Sequence, residues 1–328
     1  MPEKLIDMVK AHGRRMVIPL MGFPGTQLNG STLKQNTFNW GTQFSTVFAL
    51  QHRFHPDGMF FFMDLSVEAS ALGLPVRFPL DESPSVEMHP VRREEDLARF
   101  ARSDILSDGR VAVYVETMRL MARFLDGIKG GYVIGPFSLA ARLAGLTEIM
   151  YLATDEPEMV HALLEKTTRF LTDYVQAFRQ AGSHGIVMAE PAAGLLPPDW
   201  NRDFSARYVT RIVTAVQDDD FLVVYHNCGQ VRQLIPEIVA TGARAFHFGN
   251  AVSLSDIIGQ VPSDRLVMGN IDPAGQFTHG TPQSVADATR LLKRQMADHP
   301  NVVLSSGCDI PPQAPLANID AFFSAAAS

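Results

Sequence analysis

The chain predicts a single (β/α)₈ barrel spanning residues 1–328, an α/β fold of the TIM type. Three observations carry that expectation. Eight short apolar runs recur along the 328 residues, and each is followed by sequence of helical pattern. Polar residues cluster where those runs end. No internal repeat, low-complexity tract or linker divides the chain into two units.

The elements follow in order. Residues 1–14 mix charges with apolar residues at helical spacing and predict a leading helix. Met16–Leu20 is the first strand, and Gly22, Pro24, Gly25 and Gly30 mark a long loop after it. Residues 40–54 predict a helix, and Gly58–Met63 is the second strand, ending at Asp64. Residues 75–92, rich in Pro, Ser and Glu, read as an irregular surface excursion. Glu94–Phe100 and Val111–Leu125 are helical by pattern. Gly131–Ile134 is the third strand. Two helices occupy residues 146–181, with a break at Thr154 and Glu156-Pro157. Gly185–Ala189 is the fourth strand, closed by Glu190-Pro191. A helix over 198–217 leads to the fifth strand, Phe221–Tyr225. Val231–Thr241 is helical, Ala243–Phe248 is the sixth strand and Leu254–Ile258 a short helix. Arg265–Met268 is the seventh strand, and Thr281-Pro282 opens the next helix with a cap and a first-turn proline. Val302–Ser305 is the eighth strand, and Asn318–Ala327 the closing helix.

Bulk properties narrow the function. Hydrophobic residues make up 46% and charged residues 19%, enough to build a large core. A formal charge of −7 without a basic block argues against nucleic-acid binding. No apolar stretch has the length of a bilayer span, and the start lacks a signal-peptide core. The expected setting is the cytoplasm, with no membrane partner. There the two cysteines are better suited to metal or thiolate chemistry than to a disulfide.

In an active barrel the site lies at the C-terminal ends of the strands. The polar residues there are Asp64, Glu190, His226, Cys228, His247, Asn270, Asp272, Cys308 and Asp309. His226 and Cys228 are two apart, so an extended chain points both to one side. Cys308, the other thiol, ends a different strand. Together they make a candidate Zn²⁺ site, since zinc favours thiolate and imidazole and a catalytic site keeps one position open. Spacing alone weighs this evenly against two buried cysteines and a hydrogen-bonded histidine. Glu190 ends an apolar strand, where it serves as a fourth ligand, orients substrate, or is a paired structural carboxylate. Asp64 carries the same alternatives. Asn270 is read as a substrate contact or, with Asp272, as turn chemistry before Pro273. His247 is a substrate contact or a structural barrel histidine. No P-loop, dinucleotide fingerprint or Gly-x-Ser-x-Gly elbow is present.

Met268-Gly-Asn-Ile-Asp-Pro273, Ser306-Gly-Cys-Asp-Ile-Pro-Pro312 and Pro315-Leu-Ala-Asn-Ile-Asp-Ala321 give the chain its resemblance to the uroporphyrinogen decarboxylase superfamily. That resemblance covers nearly the full length, is best after residue 180, and implies the same barrel. The decarboxylases carry an R-Q-A-G-R motif after the first strand and G-H-G after the last. Here the first stretch reads Met21-Gly-Phe-Pro-Gly-Thr26, and Gly307 is followed by Cys308. The corrinoid-dependent methyltransferase branch, which includes methylcobamide:coenzyme M methyltransferases, carries H-x-C and a late G-C. His226, Cys228 and Cys308 match it residue by residue, and Glu190-Pro191 resembles its acidic-Pro pair.

The resemblance implies catalytic Zn²⁺ on His226, Cys228 and Cys308. From their place at the strand ends, Glu190 and Asp309 are the expected catalytic carboxylates, and Asp64, Asn270 and His247 the expected substrate contacts. It implies a corrinoid (cobalamin) supplied by a partner protein, because no corrinoid domain is evident in the chain, and it leaves a homodimer open. Zn²⁺ with two thiolates and a neutral imidazole carries no net charge, which suits activation of a thiol nucleophile. The expected reaction moves methyl from a methyl-corrinoid to a thiol such as coenzyme M. The alternatives are demethylation of an O- or N-methyl substrate toward Co(I), a non-catalytic zinc barrel, and tetrapyrrole decarboxylation, which the missing arginines disfavour.

Overall fold

A computed structural model describes residues 5–100 and 104–328. Seven strands form one all-parallel sheet: β1 (Gly58–Phe60), β2 (Ile128–Ile134), β3 (Gly185–Ala189), β4 (Leu222–Asn227), β5 (Ala245–Phe248), β6 (Leu266–Ile271) and β7 (Val302–Ser306). They pair in sequence order, with Ala189 opposite His226 and His226 opposite His247.

The first predicted strand, Met16–Leu20, is reduced to one parallel bridge, Val17 with Leu304 of β7, and toward β1 to the bond from Asp57 N–H to Val17 O at 3.1 Å. Ile18 N–H donates to Leu304 O at 2.9 Å, and Leu304 N–H to Met16 O at 2.9 Å. Two features shorten this strand. Pro19 has no N–H to continue a ladder, and Val17 N–H donates to the Asp57 carboxylate at 2.7 Å rather than to a backbone carbonyl.

Strand parity divides the core in two. Phe60, Tyr132, Val187, Leu222, Val224, Ala245, Leu266, Met268 and Val303 fill the barrel interior, and Val9 and the half-buried Leu5 of the helix Leu5–Ala11 plug its N-terminal end. That helix covers the described part of the leading helix; residues 1–4 lie outside the described residues. Ile186, Met188, Val223, Tyr225, Phe246, Val267 and Leu304 point outward and meet the surrounding helices. These include Gly109–Phe124, Pro157–Gln180, Arg207–Val216 and Pro282–Gln295. The helix Pro136–Ala144, directly after β2, has no counterpart among the expected elements. At nine residues it is shorter than the stretch over which helical periodicity is read. The loop after Leu20 contains short helices at Thr26–Asn29 and Leu33–Phe38. The 75–92 excursion holds one small antiparallel pair, Val76–Arg77 with Ser85–Val86. Among the described residues no helix is long and apolar enough to cross a membrane.

Candidate metal centre at the barrel mouth

Leu222, Val224, His226 and Cys228 share one parity, and the first two point into the barrel. The imidazole and thiol therefore continue the interior column out of the C-terminal end of β4. Cys308 follows β7 after a tight passage at Gly307, where a Cβ would come within 2.8 Å of Asn250 N. Gly249, after β5, is closer still: a Cβ there would meet Cys228 Cα at 2.5 Å. Both positions need glycine because backbone crowds the cysteine loops.

The ligand atoms of His226, Cys228 and Cys308 all lie within 4.8 Å of one another, the one such His/Cys/Asp/Glu group among the described residues. Cys308 Sγ is 3.6 Å from His226 Nε2. Tetrahedral Zn²⁺ at usual bond lengths sets its ligand atoms about 3.5–3.8 Å apart. The donor set and spacing therefore fit zinc, and three protein ligands leave one coordination position open.

The Cys308 thiol and His226 lower the Cys228 pKa to about 4 against the effect of burial. Cys308 is pushed well up, first by Cys228 and then by burial. A negative charge is thus already favoured at this point before a second thiol ionises.

His226 is held from behind. Its Nδ1 lies 2.8 Å from His247 Nδ1 and 3.2 Å from His247 O, and His247 Nε2 lies 3.0 Å from Ser305 Oγ. Burial above all holds His247 well below the usual imidazole pKa. A neutral His247 accepts from His226 Nδ1–H, which leaves His226 Nε2 as the lone-pair donor facing Cys308. Ser305 completes this chain across β4, β5 and β7. A lone serine within a strand gave no sign of this role in the sequence.

Asp309 faces the same mouth. Its Oδ2 accepts from Met63 N–H at 3.1 Å, while its Oδ1 is buried without a partner. Burial raises its pKa to about 7, against the amides of Met63, Gly22 and Ile310. The Tyr132 hydroxyl, also buried without a partner, feels the charges of Asp309 and Cys308. Two unsatisfied polar atoms beside Cys308 mark space for a polar guest.

The other expected residues lie apart from the three ligands. Glu190 follows β3 with outward parity. Its carboxylate accepts from Phe137 N–H (2.8 Å), Ser138 N–H (2.9 Å) and Ser205 Oγ (3.1 Å), at the N-terminus of the Pro136–Ala144 helix. Burial raises its pKa, and these donors oppose the rise. Its backbone still bears on the ligands, since its N–H donates to His226 O at 2.9 Å and its carbonyl accepts from Asn227 Nδ2 at 2.6 Å. Asp64 is paired with Arg110 and accepts from Tyr114 OH at 2.9 Å and Ser66 Oγ at 2.6 Å. Asn270 donates to the carbonyls of Gly249 (2.9 Å) and Val252 (2.7 Å), bracing the loop against Cys228. Asp272 caps the turn Pro273–Thr278 through Ala274 and Gly275 N–H, both at 2.9 Å.

Glu68 has no counterpart in the sequence reading. Its Oε1 accepts from Ile134 N–H at 2.8 Å and its Oε2 is buried without a partner. Burial raises its pKa from 4.5 to about 7, partly opposed by the Ile134 amide. Between those values the folded chain keeps a proton that the unfolded chain has lost. Stability is therefore fullest below about pH 4.5 and falls as pH rises through about 7, by up to about 3 kcal/mol for this group. Glu68→Gln should remove that part of the slope, making the variant relatively more stable at pH 8 than at pH 5. Parallel urea melts would show it, and an unchanged difference between the two pH values would contradict it.

Comparison with known proteins gives the family and the fold. The uroporphyrinogen decarboxylase (URO-D) family model matches residues 29–328. The methylcobamide:CoM methyltransferase MtbA of Methanosarcina acetivorans is 29% identical over 263 residues, covering 78% of this chain and 75% of that protein. A uroporphyrinogen decarboxylase of Xanthomonas campestris pv. campestris is 28% identical over 245 residues, covering 71% of this chain and 68% of that protein. Among solved structures, a methyltransferase from Methanosarcina mazei superimposes with a TM-score of 0.89 at 20% identity, covering 98% of this chain and 97% of that one. The barrel, the late Gly-Cys motif and the match across residues 29–328 converge: the chain belongs to the uroporphyrinogen decarboxylase family.

Proposed function

We propose that the protein is a corrinoid-dependent methyltransferase whose Zn²⁺, held by His226, Cys228 and Cys308, serves a small thiol acceptor. The observation that carries this reading is the convergence of two thiols and one imidazole, ligand atoms within 4.8 Å, at the barrel mouth. When bound, Zn²⁺ supplies the Lewis acidity that lowers a substrate thiol's pKa into the neutral range.

The chain's own residues do the rest. Cys228 and Cys308 give an electron-rich ligand set, better suited to a sulfur nucleophile than to polarising an oxygen. His247 and Ser305 fix the His226 tautomer. Asp309 Oδ1 is the acceptor we assign to the thiol proton, because it is the buried carboxylate oxygen without a partner beside Cys308. Glu190 and Asn270 position the ligand loops through the His226 carbonyl and the Gly249 and Val252 carbonyls. In the reaction an S–CH₃ bond forms and a Co–CH₃ bond breaks. Both electrons stay on cobalt, taking Co(III) to Co(I), and the thiol proton leaves. A separate corrinoid protein would present the methyl group over the mouth.

Tetrapyrrole decarboxylation is the activity named for several relatives of similar identity. Here the Met21–Thr26 stretch packs as a short turn with Phe23, Pro24 and Gly25 buried, and offers no arginine for propionates. The test is to mix zinc-loaded protein with methylcob(III)alamin and a panel of thiols, following the cobalamin spectrum. Thiol-dependent loss of the methylcobalamin bands is the expected result. Inertness to every thiol, combined with methylation of Co(I) by a methoxy or methylamino compound, would reverse the direction of transfer.

A further inference from the structure

Below the metal centre the barrel is lined by apolar side chains. Val187, Val224, Ala245 and Leu266 stand in one inward layer, each opposite the next in register, and Tyr132 of β2 joins that layer opposite Val187. Tyr132 is 4% exposed, and its hydroxyl is buried without a hydrogen-bond partner. A buried donor left unpaired lowers stability, and an apolar group of the same shape avoids that cost. Phenylalanine is such a group, so the chain's own bonding gives the hydroxyl no use. An unpaired buried atom of this kind calls for a partner from outside the chain.

Packing fixes where the hydroxyl points. Gly130, one layer below Tyr132, has no side chain, and a Cβ there would run into the Phe60 ring. Phe60 pairs with Gly130 and meets the Tyr132 ring at a steep angle, with centroids 6.2 Å apart. The N-terminal side of the tyrosine is thus filled, and its ring extends toward the mouth. His226 stands in the next layer, two residues beyond Val224, or about 6.6 Å along the strand. A tyrosine side chain covers that span. Cys308 packs on the same inner cluster as Tyr132. Asp309 is held on this side of the mouth by Met63 N–H at 3.1 Å, just after β1, the neighbour of β2. The charges of Asp309 and Cys308 accordingly act on the Tyr132 hydroxyl, although burial is the largest influence on it.

We propose that the Tyr132 hydroxyl donates a hydrogen bond to the sulfur of the substrate thiol, and so favours the thiol over its methylated product. This rests on the thiol-acceptor reading above and adds the residue that tells acceptor from product. Tyr132 O–H and Asp309 Oδ1 are a donor and an acceptor, both unpartnered, at one mouth. A thiol is complementary to that pair: its S–H faces the carboxylate, and its sulfur accepts from the phenol. An ionised sulfur is the stronger acceptor still. Once the S–CH₃ bond forms, the sulfur is a neutral thioether, which is a weak acceptor and has no proton to give. The bond from Tyr132 then weakens, which favours release of the product. Tyr132 keeps its own proton throughout and acts by binding alone.

The experiment titrates zinc-loaded wild type and Tyr132→Phe, without corrinoid, with 2-mercaptoethanol and its methylated counterpart 2-(methylthio)ethanol, by calorimetry. Tyr132→Phe should bind the thiol about 10-fold more weakly, the size of one hydrogen bond to a charged acceptor, and keep its affinity for the thioether. In turnover with methylcob(III)alamin the KM for the thiol should rise by the same factor, and the KM for methylcob(III)alamin should not move. Equal weakening of thiol and thioether overturns the proposal, since it puts the hydroxyl on another part of the ligand. Unchanged thiol affinity overturns it as well. Loss of zinc from Tyr132→Phe under the same dialysis also overturns it, by giving Tyr132 a part in the metal site. Urea melts without thiol should place the midpoint of Tyr132→Phe at or above that of wild type, because an unpaired polar atom is gone. A clear fall would reveal a partner within the chain and count against the proposal. A wild type that neither binds nor turns over any thiol rejects the thiol-acceptor reading and this proposal with it. Failure of the Tyr132→Phe arm alone leaves that reading standing.

Discussion

Cys308→Ser should lose most of its zinc and, with it, nearly all thiol-dependent methyl transfer. Metal analysis of the purified wild type should give about one zinc per chain. The variant keeps His226 and Cys228, but two ligands from one strand end cannot hold zinc against a modest chelator. Serine is nearly isosteric, and Cys308 is half-buried at the mouth, so the barrel itself should stay folded. The thiolate lost is the one that brings a second element to the metal. The Cys308 sulfur lies 3.6 Å from His226 Nε2, and a hydroxyl there is a poor zinc ligand at neutral pH. Full zinc occupancy in Cys308→Ser, measured beside wild type after the same dialysis, would remove Cys308 from the ligand set.

The second large effect lies behind the barrel wall. Arg110→Met should destabilise the fold by about 3–5 kcal/mol, because it strands the Asp64 carboxylate in a buried site. The Asp64 and Arg110 side chains are only 2% and 6% exposed. Tyr114 and Ser66 still donate to Asp64, which places the expected loss toward the lower end. The Arg110 guanidinium also lies 4.7 Å from the Phe78 ring centroid, so the substitution removes a cation–π contact as well. Asp64→Asn in the same chain should recover part of the loss, because it removes the stranded charge. Guanidinium melts of both variants measure this. A loss under about 1 kcal/mol for Arg110→Met would show that water reaches Asp64.

Much of this was legible in the chain because strand parity is a simple code. The apolar runs fixed seven strands to within a few residues, and the i, i+2 relation of His226 and Cys228 put both on the inward face. The same code explains the position of Glu190. Ala189 and Val187 share the interior parity, so the next residue must face the helices. There it meets the N-terminus of Pro136–Ala144, a helix too short to show its period in the sequence. Pro19 was visible in the first run, but only the structure shows that it reduces that strand to one bridge. Tyr132, Glu68 and Ser305 were not legible. Each sits in sequence that reads as ordinary helix or strand, and its importance comes from what it faces, or fails to face, across the fold.

The weak joint at Val17 and Leu304 has a further consequence. Six of the seams in this ring are continuous ladders, whereas the two that flank Met16–Leu20 hang on a few backbone bonds. Local opening is cheapest where fewest bonds must break together, so the barrel is expected to breathe along this line. Cys308 lies four residues beyond Leu304, on the hinged edge, while His226 and Cys228 stand on the far wall. A metal held by both edges, as proposed, would act as a clasp, binding only the closed ring and biasing the whole molecule toward it. The centre that reads as chemistry would thus also govern how long the barrel stays shut.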